Sequence, residues 1–206
     1  MMMPIRAVIF DIGGVLIQEM DLDMGGKWDA RKGLVPGELT QRFIDSGAPN
    51  LALIGAISRR EAWKRIGASI GLTDEEVQEY ECELWAQCYL YIEMAQFLKS
   101  LRPRYKTATL SNDWQVARDE NNRRFGLAAA IQVELMVYSA EEGIAKPDPR
   151  IYQITCDRLD VTAQEALFLD NSYACVQAAQ RLGMYGIHFK DSAQAIADVQ
   201  ACLATH

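Results

Sequence analysis

Four short stretches of this chain carry the groups needed for chemistry on an oxygen-rich anion. They are Asp11 in AVIFDIGGVLI, Ser111 and Asn112 in TATLSND, Lys146 in GIAKPDP, and Asp170 with Asn171 in ALFLDNS. Together they supply two carboxylates, a hydroxyl, amides and an amine. That set suits phosphoryl transfer, which needs an anionic nucleophile, hard oxygen ligands for Mg²⁺ and donors that neutralise the transferred group. Gly13 and Gly14, directly after Asp11, suit a tight loop beneath a ligand.

These groups must be brought together by the elements that carry them. AVIF (7–10) is a short, wholly apolar run, and it reads as a buried parallel strand. TATLS (107–111), IQVELMVYS (131–139), ALFLD (166–170) and YGIHF (185–189) read the same way. Helical patterns separate them at 114–125, 149–159, 172–183 and 191–204. Pro149 stands in the first turn of the second of these, and Gly183 at the end of the third. Strands alternating with helices imply a parallel sheet covered on both faces, with ligands bound beyond the carboxyl ends of its strands. Asp11, Ser111 and Asp170 all fall at such ends.

About ninety residues separate the first strand from the second, with no strand pattern among them. Helical patterns fill the gap at 36–47, 58–71, 73–88 and 91–102, and Thr73 with Glu76 fits a capping box. A helical insertion over residues 17–90 is expected, in a core made of 1–16 and 91–206. Trp28, Trp63 and Trp85 are expected in the interior of that insertion, and Asp113 and Trp114 as an ordinary cap and packing pair.

With 206 residues, the chain is long enough for one α/β domain with an insert. Its net charge of −7 argues against nucleic acid or an anionic membrane as the main partner. The five cysteines lack CxxC spacing and read as free thiols of a reducing compartment. No signal-peptide pattern opens the chain, and no apolar run reaches the ~18 residues of a membrane span. A cytoplasmic protein, monomer or homodimer, is the expectation, and a small phosphorylated metabolite remains open as its substrate despite the charge, because local dipoles or a metal ion can outweigh the overall sign.

Asp11 in FDIGGVL, Ser111 in TLSND, Lys146 in GIAKPDPRIY and Asp170 in FLDNS resemble the four ordered motifs of the haloacid dehalogenase-like (HAD) hydrolases. The spacing is similar to their subfamily I, with a helical cap between the first and second motifs. TATLSNDW, KPDPRIY and FLDNSYACVQAAQRLGM look most like the phosphatase domain at the N-terminus of soluble epoxide hydrolases. The resemblance implies a three-layer Rossmann-like α/β core with a parallel sheet in the order 5-4-1-2-3. It implies Asp11 as the nucleophile that forms an aspartyl-phosphate, and Lys146 as the cation that lets two anions approach. Ser111, Asn112 and Gly14 would bind the phosphate. Asp11, Asp170 and the Gly13 carbonyl would hold Mg²⁺, with Asn171 beside them.

Gly13 departs from the family's phosphatases, which usually carry Asp there as the acid that protonates the leaving alcohol and then the base that activates water. A general acid/base contributes about 10²–10⁴-fold. Three accounts follow. The leaving group needs little protonation; an acid such as Glu19, Asp21 or Asp23 comes from the segment entering the cap; or catalysis is lost and phospholigand binding retained. A metal-independent 2-haloacid dehalogenase is the other enzymatic reading, with Arg31 or Arg42 receiving the substrate carboxylate. The two histidines, His188 and His206, give little support to a triad or a zinc site.

Overall fold

The computed structural model describes residues 3–206. Five parallel strands form one sheet in the order β3-β2-β1-β4-β5. They are β1 (Ala7–Phe10), β2 (Lys106–Ser111), β3 (Leu135–Tyr138), β4 (Ala166–Asp170) and β5 (Tyr185–His188). This is the expected order read from the opposite edge. The apolar run of β1 has no polar residue because both of its faces are covered. Val8 and Phe10 enter one apolar cluster with Met94, Leu98 and Val199, and Ala7 and Ile9 enter another with Ile151, Tyr152 and Ala179. The first cluster is closed by helices α6 (Ile92–Ser100), α8 (Leu127–Ile131) and α12 (Ser192–Thr205). The second is closed by α10 (Pro149–Arg158) and α11 (Tyr173–Arg181).

Between β1 and β2 lie α1 (Lys27–Lys32), α2 (Glu38–Asp45), α3 (Ala48–Leu53), α4 (Arg59–Ile70) and α5 (Asp74–Ala86), followed by α6. Helices α1–α5 pool their apolar faces in a third cluster around Trp28, Phe43, Ile66, Tyr80 and Leu84. Thr73 and Glu76 form the capping box of α5. The chain enters and leaves this segment side by side: Gln18 N–H donates to the Tyr89 carbonyl at 2.9 Å, and Tyr91 N–H to the Leu16 carbonyl at 2.8 Å.

Two expectations shift. The strand expected over 131–139 is confined to 135–138, because 127–131 (LAAAI) is a helix closed by Gln132 at φ 50°. Alanine-rich apolar sequence serves a buried helix as readily as a strand. The helix expected from 114 begins at Ala117 as α7 (Ala117–Phe125), after Val116 turns to φ 68°. Among the described residues all five cysteines are free, and no helix is long and apolar enough to cross a membrane.

Candidate active site

Asp11 and Asp170 leave the carboxyl ends of the adjacent strands β1 and β4, whose register pairs Phe10 with Leu169. Lys146 arrives from the loop before α10, and its ammonium lies between them. Its Nζ is 2.9 Å from Asp11 Oδ1 and 2.6 Å from Asp170 Oδ2. All three side chains are buried: Asp170 is 0% exposed, Lys146 5% and Asp11 7%. Both carboxylates are also held by backbone. Ile12 N–H donates to Asp11 Oδ1 at 2.6 Å, and Ser172 N–H to Asp170 Oδ1 at 2.7 Å. Asp11 Oδ2 has no hydrogen-bond partner among the described residues.

Two buried carboxylates around one ammonium leave a net negative charge. Burial pushes the Asp11 carboxyl up to about 7 against the pull of Lys146, and Asp170 adds to the rise. Burial alone would lower Lys146, but Asp11 and Asp170 outweigh it and hold its ammonium above the usual lysine range. The Gly13 carbonyl accepts no backbone hydrogen bond among the described residues. Two carboxylates and a free carbonyl are hard oxygen donors with charge to spare, a set that fits Mg²⁺.

The remaining expected residues divide. Ser111 ends β2, buried, with no hydrogen bond to its hydroxyl among the described residues. The Asn112 side chain turns toward the lysine loop: its Oδ1 accepts from Lys146 N–H at 2.7 Å and its Nδ2 donates to the Lys146 carbonyl at 2.8 Å. It therefore positions the lysine. Gly14 has no spare donor, because its N–H donates to the Ile17 carbonyl at 2.7 Å. Its role is conformational: φ is +73°, and a Cβ there would lie 2.2 Å from Asn171 Nδ2. Asn171 donates to Glu19 Oε2 at 3.0 Å, and His188 Nε2 lies 2.9 Å from the Asn171 carbonyl oxygen.

A cavity of about 320 Å³ opens beside Gly13 and Ser111. A Cβ at Gly13 would meet nothing within 4 Å, so sterics do not explain the glycine. The cavity walls are largely apolar, with Phe43, Trp63, Leu84, Trp85 and Trp114 among them. Trp63 stacks edge-on against Trp114 with ring centroids 5.5 Å apart. Trp28 is buried in the helical cluster as expected, and Trp63 packs against the same cluster through Phe43 and Tyr80 while also lining the cavity; Trp85 lines the cavity and packs on Phe125 instead.

Of the acids expected from the segment entering the cap, Glu19 lines the cavity and Asp21 and Asp23 do not. Neither Arg31 nor Arg42 lines it: Arg31 pairs with Glu79 at 2.7 Å, and Arg42 with Glu38 at 2.5 Å. Arg59, at the start of α4, does line it, paired with Glu81 and lying 3.7 Å from Glu120. Asp113 lines it too. Its backbone is fixed by Ser139, whose Oγ accepts from Asp113 N–H at 2.9 Å and donates to the Asp113 carbonyl at 3.2 Å. Burial raises the Asp113 carboxyl to about 6, although Trp114 N–H donates to its Oδ1 at 2.8 Å.

A sheet of this order with an acid directly after β1, a buried lysine and a second acid at the end of β4 agrees with a family match over residues 5–183 to the haloacid dehalogenase-like hydrolases. The chain belongs to that family. It is 30% identical over 207 residues to mouse (Mus musculus) acyl-CoA dehydrogenase family member 10, covering 96% of this chain and 19% of that protein. It is 23% identical over 214 residues to bifunctional epoxide hydrolase 2 of Sus scrofa, covering 96% and 39%. The chain thus spans well under half the length of these relatives. A HAD family enzyme from Bacteroides thetaiotaomicron, solved with magnesium and inorganic phosphate, superposes with a TM-score of 0.73 at 21% identity, over 90% of this chain and 94% of that one. This HAD hydrolase has the core fold that its motifs implied.

Proposed function

We propose that this HAD hydrolase is a Mg²⁺-dependent phosphatase that cleaves a small phosphomonoester through an aspartyl-phosphate on Asp11. The observation that carries the reading is Lys146 Nζ held between Asp11 Oδ1 and Asp170 Oδ2 in a buried cluster of net negative charge. Asp11, Asp170 and the Gly13 carbonyl would hold the ion, which when bound supplies positive charge to the phosphate oxygens. Lys146 offsets the repulsion between the carboxylate and the incoming dianion. Asp11 Oδ2 carries no competing hydrogen bond and attacks phosphorus. The Ser111 hydroxyl, without a hydrogen bond among the described residues, donates to a phosphate oxygen. Residues 17–90 act as a cap over the site, and the apolar walls around Trp63, Trp85 and Trp114 suit a leaving group with apolar surface. The free cysteines support a cytoplasmic setting.

The relevant assay measures phosphate release from p-nitrophenyl phosphate, alkyl phosphates and sugar phosphates, with Mg²⁺ or EDTA, in the parent and in Asp11→Asn. Release that needs Mg²⁺ and vanishes in the variant is expected. Chloride release from chloroacetate in EDTA would instead make the protein a dehalogenase. The ion-paired positions of Arg31 and Arg42 give a substrate carboxylate no such anchor.

A further inference from the structure

Gly13 leaves the site without the acid/base expected two residues after the nucleophile, and the space for one is open. Four carboxyl groups line the cavity that Gly13 enters: Glu19, Glu81, Asp113 and Glu120. Glu81 is paired with Arg59, and Glu120 with Arg123 at 2.6 Å and Arg124 at 2.9 Å. Glu19 is exposed, and its carboxylate is engaged by the Asn171 amide. Asp21 and Asp23, the other acids of that segment, do not line the cavity. Asp113 is the one of the four that is enclosed, has no salt bridge among the described residues, and is held only by neutral donors, Trp114 N–H on its Oδ1 and the Asn121 side chain.

Its placement is also fixed. It lies two residues beyond Ser111 on the same strand end, with both backbone polar groups clamped by Ser139. Arg59 from α4, Glu120 and Asn121 from α7, and Tyr138 from β3 surround this corner of the cavity. The Asn121 amide nitrogen and the Tyr138 hydroxyl are buried at this corner, close enough to Asp113 to act on its carboxyl.

We propose that Asp113 is the proton-transferring residue of this active site and takes over the work that Gly13 cannot do. The assignment rests on the phosphatase reading above. As Asp11 Oδ2 forms its bond to phosphorus, the ester P–O bond breaks and its electron pair passes to the leaving oxygen. The Asp113 carboxyl gives that oxygen its proton, so an alcohol departs and Asp113 is left ionised. In the second half, Asp113 takes a proton from water as its oxygen attacks phosphorus. The P–O bond to Asp11 breaks, and inorganic phosphate leaves with both carboxyls restored. A raised carboxyl suits both roles near neutral pH.

The test compares parent, Asp113→Asn, Glu19→Gln and the double variant Gly13→Asp/Asp113→Asn on p-nitrophenyl phosphate and a simple alkyl phosphate, with Mg²⁺. In Asp113→Asn, turnover of the alkyl phosphate should fall about 10²–10⁴-fold. p-Nitrophenolate needs no proton to leave, so this variant should still show a stoichiometric burst of it, followed by slow turnover as phosphoenzyme accumulates. A merely structural defect would remove the burst as well. Gly13→Asp should restore alkyl phosphate turnover in the double variant, since its side chain meets open space. Equal losses on both substrates without a burst, or a leaving-group-dependent loss in Glu19→Gln alone, would overturn the assignment while leaving the phosphatase reading intact. No phosphate release by the parent from any ester would overturn both.

Discussion

Replacing Lys146 by Met removes the one cation between two buried carboxylates while roughly preserving side-chain length. At 2.9 and 2.6 Å, each contact of Lys146 carries a gross attraction of about 6 kcal/mol at an effective dielectric of ~20. Most of that is offset by dehydration of the three ions. The variant, however, keeps the dehydrated carboxylates without their counter-charge, and such losses run to about 3–5 kcal/mol. For a chain of this size that corresponds to a fall in Tm of about 6–20 °C. The loss must depend on pH. Asp11 already binds its proton more tightly folded than unfolded, rising from 3.8 to about 7, and Lys146 is a lowering influence on it. Without the lysine the carboxyl rises further. Folding then holds a proton that the unfolded chain has released, so stability drains away as pH climbs above about 4 and keeps falling past 7. Differential scanning fluorimetry in EDTA at pH 5 and pH 8 reads this directly, and the deficit should be larger at pH 8. Millimolar Mg²⁺ should recover more Tm in the variant than in the parent at pH 8. A deficit below about 1 kcal/mol, or one equal at both pH values, would refute the picture of a buried, charge-deficient triad.

Gly14→Ala should cost about 1–3 kcal/mol in urea denaturation, because φ is +73° and the new Cβ meets Asn171, whereas Gly13→Ala should stay within about 0.5 kcal/mol. Asn112→Ala strips two hydrogen bonds from the Lys146 backbone and should lower stability by about 1–3 kcal/mol. Its kcat on p-nitrophenyl phosphate should fall more than its KM rises, which steady-state kinetics will read. Asp113 rises from 3.8 to about 6, so its ionisation opposes folding increasingly over that interval. Asp113→Asn should therefore stabilise the protein by about 1–3 kcal/mol at pH 7.5 and by almost nothing at pH 4, as followed by thermal melts.

The parts of the site that were legible in the sequence were those written locally. A four-residue apolar run that ends in Asp, Ser or Asp must cross a covered sheet and deliver a polar group at its end, because burial on both faces leaves no other place for that group. That reasoning located Asp11, Ser111 and Asp170, and the fold order followed from the motifs that contain them. Where an apolar run is shared between two elements it was not legible: of the strand expected over 131–139 only 135–138 forms, because Ile131 ends helix α8 and Gln132 turns the chain at φ 50°.

Partnership belongs to the tertiary structure. Asn112 carries the same amide whether it faces a phosphate or the backbone of Lys146, and only the approach of the lysine loop decides between them. Arg31, Arg42 and Arg59 are equivalent as letters, yet packing turns only the third toward the cavity. Trp63 keeps its expected place against the helical cluster and still shows a face to the cavity, whereas Trp85, alike by type, packs on Phe125 as a cavity wall. Asp113 differs from its acidic neighbours only in what surrounds it, and enclosure that outweighs the pull of Arg59 is a property of three-dimensional space, since burial and charge separation are set by chain segments distant in sequence.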